Sequence, residues 1–175
     1  MTVLILSMQA QLLESTRITC LILIFRYSRY NIFMEITSIN PQQESELQAF
    51  KGLVWPAADK EHYGENQPKF YRNEFTLIAK DNDQIIGYIS VIVDTGVAQI
   101  EPLMIKADLK GKGIGTRLLQ EAEEKAKSLG AHKMWLETGS DWQAKGFYEK
   151  HGYQTRAILP NHTGGREFVL MDKIF

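Results

Sequence analysis

Hydrophobic and polar positions alternate most regularly in the middle of the chain. In Glu74–Lys80 (EFTLIAK) the apolar residues fall at every second position, and the run stops at the turn cluster Asp81-Asn82-Asp83. Gln84–Asp94 (QIIGYISVIVD) is rich in β-branched residues and closes on Thr95-Gly96. The two stretches predict a β-hairpin. Val97–Ile105 (VAQIEPLMI) predicts a further strand with Pro102 inside it. Proline cannot donate to a ladder, so this strand must lie at an edge or carry a bulge.

The period then lengthens. Ile114, Leu118, Ala122, Ala126 and Leu129 share one face of a helix over Gly113–Leu129, with Glu121–Lys125 and Glu123–Lys127 pairs on the wet side and Gly130 as its stop. His132–Thr138 predicts a strand, Asp141 a helix cap with the helix running to Lys150, and Gly152–Leu159 and Arg166–Phe175 two strands joined by PNHTGG. Upstream, Glu35–Ile39 predicts a short strand. Asn40-Pro41 predicts the start of a helix over Gln42–Leu53, and Trp55–Lys69, with two prolines and a glycine, a loop or broken helix. The element order is βαβββ-loop-αβαββ, an α+β pattern.

Residues 1–33 have no clear period. Their longest apolar run, Ile18–Phe25, is far shorter than the roughly 20 residues of a membrane span, and no basic residue precedes the early apolar run as in a signal peptide. They read as an extension, with the domain at 34–175 and Met34 as the natural start; a membrane-surface anchor or a packing helix are the alternatives. The 175 residues otherwise suit one domain. A net charge of −1 offers no bulk attraction to nucleic acid, and the single cysteine, Cys20, excludes a disulfide framework and a cysteine zinc site. No His and carboxylate spacing suggests a metal, and a reducing, cytoplasmic location fits.

The chemistry concentrates in LKGKGIGTRLL (Leu109–Leu119), a basic glycine loop that opens a helix. Such a loop brings backbone N–H groups up to an anion. The P-loop string G-x-x-x-x-G-K-[ST] is absent. A dinucleotide fingerprint fails because its third glycine would be Leu118, or Thr116 if it began at Gly111.

Lys110-Gly111-Lys112-Gly113-Ile114-Gly115 resembles [RQ]-x-x-G-x-[GA], the acyl-CoA signature of the GNAT superfamily of N-acetyltransferases. GFYEKHGY (Gly146–Tyr153) is similar to that family's second mark, [FL]-Y-x-x-x-G-[FY], at the customary separation. The resemblance covers Glu35–Phe175. It implies a mixed, mostly antiparallel sheet of about seven strands with helices on both faces. It also implies an acetyl-CoA-dependent N-acetyltransferase without a metal. The diphosphate of coenzyme A would sit on residues 112–116, that is Lys112, Gly113, Ile114, Gly115 and Thr116, with Lys110 and Gly111 beside it. Lys110 departs from the usual Arg or Gln and loses the bidentate fork.

By the same resemblance, the strand holding Pro102 splays from its neighbour. Leu103, Met104 and Ile105 would bond the pantetheine arm through their backbones, one N–H polarising the thioester carbonyl. Glu101 would be the base or an amine-orienting carboxylate, with Glu137 the weaker candidate. Tyr148 would donate to the leaving sulfur, or simply pack. Asp141 stands where the family often has an Asn that bonds pantetheine. His62, Tyr63 and His162 could line an acceptor pocket. No cysteine occurs between Met34 and Phe175, so transfer would be direct, in a ternary complex. The acceptor would be a small-molecule or peptide amine. Many members of that family are dimers, though no stretch here singles out a pairing face. The rival functions are a non-catalytic acyl-CoA sensor and a dinucleotide-binding oxidoreductase.

Overall fold

The computed structural model describes the backbone of residues 25–27 and 32–34 and the whole of residues 36–175. The expectations for residues 1–33 otherwise lie outside the described residues. Two compact units divide the chain, one running to Glu65 and the other from Asn66 to Phe175.

In the first unit β1 (Phe25–Tyr27) pairs antiparallel with β2 (Ile32–Met34), Phe25 lying opposite Met34. The strand expected over Glu35–Ile39 does not form: residues 36–40 have no regular structure. Ile36 and Ile39 are 70% and 50% exposed, so no neighbouring strand rewards extended pairing there. Asn40 then starts a helix as its side chain allows. Its Oδ1 accepts from the Gln43 N–H, and Gln43 Oε1 accepts from the Asn40 N–H, both at 3.1 Å. A 3-10 turn over Pro41–Gln43 leads into α1 (Glu44–Tyr63). The loop expected from Trp55 is helix instead. Pro56 costs one N–H, but Ala57-Ala58-Asp59-Lys60-Glu61 resumes good helix-forming sequence, and the helix stops only at Gly64, at φ 60°.

The second unit is one six-stranded sheet in the order β3-β4-β5-β6-β8-β7: β3 (Arg72–Asp81), β4 (Gln84–Asp94), β5 (Val97–Ile105), β6 (Lys133–Gly139), β7 (Gln154–Leu159) and β8 (Phe168–Ile174). Six strands rather than seven follow from the missing strand at 36–39. α2 (Ile114–Ser128) and α3 (Gln143–Lys150) complete the unit.

Period-two alternation buries one face of the sheet. Ile89, Val91, Val93, Ala98, Ile100, Met134, Leu136, Val169 and Met171 pack with Leu118, Leu119, Ala122 and Ala126 of α2 and with Tyr148 of α3. Both helices therefore cover the same face. Lys133 and Arg156 pair with the buried Asp172 on the other face, at 2.7 and 2.6 Å.

Two irregularities shape the centre of the sheet. Between β4 and β5, Ile89 lies opposite Leu103 and Val91 opposite Ile100. Ser90 thus faces both Glu101 and Pro102, a bulge at the place the proline demanded. Every neighbouring pair is antiparallel except β5 and β6, which run parallel and pair only at Val97, Ala98 and Gln99 with Lys133, Met134 and Trp135. Beyond Gln99 the two strands part.

Candidate active site

The gap between β5 and β6 organises everything around it. Leu103, Met104 and Ile105 pair with Ile89, Tyr88 and Gly87 of β4, so their other edge faces the gap. Leu136 to Gly139 pair with β8 on one side and have no β5 partner on the other.

α2 begins at the mouth of this gap. A 3-10 turn (Ala107–Leu109) carries the chain from β5 to the glycine loop. Gly111 and Gly113 adopt φ of 76° and 81°, where an L side chain is strained, and a Cβ on either would meet nothing within 4 Å. Gly113 caps α2 without any side-chain bond. The first intrahelical bond is from the Arg117 N–H to the Gly113 carbonyl, at 3.1 Å. The N–H groups of Ile114, Gly115 and Thr116 therefore head the helix without an intrahelical acceptor, at the positive end of its dipole. Lys110 and Lys112 are exposed beside them.

The second motif packs against the first. A Cβ on Gly115 would stand 3.6 Å from the Phe147 ring and 3.8 Å from Ile105, which places α3 and the end of β5 around the start of α2. His151 Nε2 lies 3.1 Å from Thr116 Oγ1, and its Nδ1 lies 2.7 Å from the Phe147 carbonyl.

Tyr148 is 6% exposed, with Phe147 and Tyr153 edge-on at 5.2 and 5.5 Å. No hydrogen bond among the described residues uses its hydroxyl, and no fully buried side-chain N or O among them lacks a partner. The hydroxyl therefore reaches the molecular surface while the ring is enclosed. Burial pushes the phenol up to about 12, so it stays protonated across the neutral range.

Glu101 lies on the face opposite the helices, exposed, in a groove of about 510 Å³ with Arg72, Glu74, Thr76 and Ser90. Glu137 is on that face too, since Leu136 and Thr138 on either side of it are buried. Glu101 and Glu137 thus lie on one face of the sheet, and α2 and Tyr148 on the other.

His162 Nε2 lies 3.8 Å from Glu137 Oε2. Its ring lies 5.3 Å from Phe168, which in turn meets Trp142 at 5.3 Å. The Trp142 indole lies so close over Gly139 that a Cβ there would come within 2.7 Å of it. Asp141 is exposed and does not cap α3. The cap position is Trp142, which makes no side-chain cap bond. His62 and Tyr63 belong to the first unit.

His151 and Phe147, inside the second motif, and Trp142 and Phe168 were not singled out by the sequence; their contacts join segments distant in the chain.

The Acetyltransferase (GNAT) family pattern matches residues 40–153, about two thirds of the chain. The chain belongs to the GNAT acetyltransferase family. The uncharacterized N-acetyltransferase MJ1530 of Methanocaldococcus jannaschii is 33% identical over 106 residues, 59% of this chain and 67% of that protein. The aligned stretch of another relative reaches only 50% of that relative's length. An acetyltransferase crystal structure from Bacillus cereus shares the fold, with a TM-score of 0.62 at 24% identity, covering 79% of this chain and 98% of that one. A protein of Bacillus anthracis described as a putative streptothricin acetyltransferase, solved in complex with acetyl coenzyme A, is 26% identical with a TM-score of 0.55, covering 59% of this GNAT chain and 63% of its own.

Proposed function

We propose that this GNAT chain transfers an acetyl group from acetyl-CoA to the primary amine of a small-molecule acceptor, by direct attack in a ternary complex. One observation carries the reading: β5 and β6 pair over three residues and then part, and the start of α2, with its unpaired amides, lies against the end of β5. The acetyl-CoA held by the streptothricin enzyme supports the co-substrate, and that enzyme's name supports a small acceptor.

Acetyl-CoA would supply an activated acyl group on a thiol leaving group. The N–H groups of residues 112–116, with Lys110 and Gly111, would take its diphosphate. The free edge of Leu103, Met104 and Ile105 would hold the pantetheine, with Asp141 near its far end, and one β5 N–H would stabilise the oxyanion. The amine would enter from the opposite face. An amine of pKa near 10.4 is mostly protonated at pH 7, which opposes attack by roughly 4–5 kcal/mol. Glu101 would accept that proton directly or through water, and the Tyr148 hydroxyl would answer the charge growing on sulfur. Glu137, His162, Phe168 and Trp142 would form the acceptor wall, a carboxylate on an aromatic rim.

Acetyl-CoA should raise the melting temperature, because any ligand bound only by the folded state stabilises it. A panel of diamines, aminoglycosides, amino acids and peptides, read by thiol release and product mass, should then give amine-dependent turnover. A melting temperature unmoved by millimolar acetyl-CoA would refute the reading. So would acetyl-CoA binding with no acetylated product from any amine.

A further inference from the structure

His151 closes α3 and reaches the start of α2, and its two contacts fix where its protons sit. A carbonyl oxygen only accepts, so the Nδ1 atom 2.7 Å from the Phe147 carbonyl carries a hydrogen. In the neutral ring Nε2 then has a lone pair, and Thr116, 3.1 Å away, must donate its single hydroxyl hydrogen to it. In the imidazolium Nε2 donates instead, and the Thr116 hydrogen is released. Thr116 is the third residue of α2, among the N–H groups that head the helix. Protonating His151 therefore frees one donor and adds one positive charge at the end of the helix that already favours an anion.

The surroundings leave that charge unanswered within the protein. From α2, Glu123 and Glu124 line the cleft beside the ring, but Glu123 is held by Lys173 at 2.7 Å and by the Tyr153 hydroxyl at 3.2 Å, and Glu124 by Lys127 at 2.8 Å. Lys150 from α3 and Lys173 from β8 are cations on the same cleft. The Phe147 ring lies 4.4 Å from the imidazole.

We infer that His151 is a positioning residue for the coenzyme: its protonation turns the Thr116 hydroxyl toward the bound diphosphate, so coenzyme A and a proton bind together. The inference rests on the reading of the α2 start as the diphosphate site. Coenzyme A binding should take up a proton and be about tenfold tighter at pH 5.5 than at pH 8.5.

Two measurements test it. The first follows the His151 ring of the wild-type protein by NMR through a pH titration, free and saturated with coenzyme A. The second is calorimetry of coenzyme A binding across that pH range in buffers of different ionisation enthalpy, on wild type, His151→Gln, Thr116→Val and Thr116→Ser. The phosphates of coenzyme A titrate in all four, so the signal is the difference between them. A raised ring pKa, with proton uptake lost in His151→Gln and Thr116→Val and restored in Thr116→Ser, is expected. Coenzyme A binding with an unmoved ring pKa, or with the same pH dependence in wild type and His151→Gln, overturns the inference and leaves the diphosphate site standing. No binding to wild type at any pH overturns both.

Discussion

Replacing Tyr148 by Phe removes one oxygen and leaves the ring, and the structure sets how much should be lost. The phenol is held at about 12 by burial, whereas a thiol such as that of the leaving group ionises near 8.5. Complete proton transfer from phenol to thiolate would run uphill by roughly 5 kcal/mol. The hydroxyl should therefore act by hydrogen-bonding the sulfur as charge develops, without giving up its proton. A hydrogen bond to a charged group contributes about 1.5–3 kcal/mol, which is roughly a 10- to 100-fold fall in kcat. The hydroxyl has no partner among the described residues, so the melting temperature should hardly move, and coenzyme A affinity should stay near wild type. Thiol release under saturating acetyl-CoA gives kcat, and calorimetry gives the affinity. The raised value also means that the residue stays competent up to about pH 11. Full activity in Tyr148→Phe, or a wild-type alkaline decline near pH 10 that the variant lacks, would refute the reasoning.

Three further outcomes follow from local geometry. Gly113→Ala should destabilise by about 1–2 kcal/mol because φ is 81°, whereas Gly115→Ala, whose methyl meets only ordinary contacts at 3.6–3.8 Å, should stabilise by about 0.5–1 kcal/mol; paired thermal melts check the opposite signs. Glu101→Gln should lower kcat/KM about 100-fold at pH 7, and the deficit should shrink as pH rises and free amine accumulates, which a pH-rate profile of both proteins reads. Burial would raise the Asp172 carboxyl, but hydrogen bonds and charge from Lys133 and Arg156 outweigh it and hold it below the ordinary range. Its stabilising contribution is therefore present above the unfolded value near 3.8 and is lost as pH falls through the lower folded one. Asp172→Asn should be less stable at pH 7 and lose part of the wild-type sensitivity below pH 4, by denaturant titration.

What the sequence revealed, it revealed through local rules. Alternation in Glu74–Asp94 and the shared face of Ile114, Leu118, Ala122 and Ala126 forecast a hairpin and a helix because burial on one side enforces those periods. Pro102 forecast the bulge because a missing N–H has few places to go. The strand at 35–39 failed because pairing depends on a distant partner that no local pattern names, and Pro56 misled because a helix can absorb one lost bond. Asp141 looked like a cap by type alone, yet Trp142 holds that place over Gly139. The glycine loop was legible as a turn that opens a helix. The link from Thr116 to His151, 35 residues apart, was not, since it exists only once α3 folds back on α2.

Because the two antiparallel ladders on either side of the slot touch through three residue pairs only, each is whole without the other. Beyond those pairs, cohesion between them runs through the apolar layer under α2 rather than through peptide hydrogen bonds. Beyond Gln99 no ladder pairing spans the opening. A long, thin guest lying in the slot beyond Gln99 would therefore displace no strand pairing.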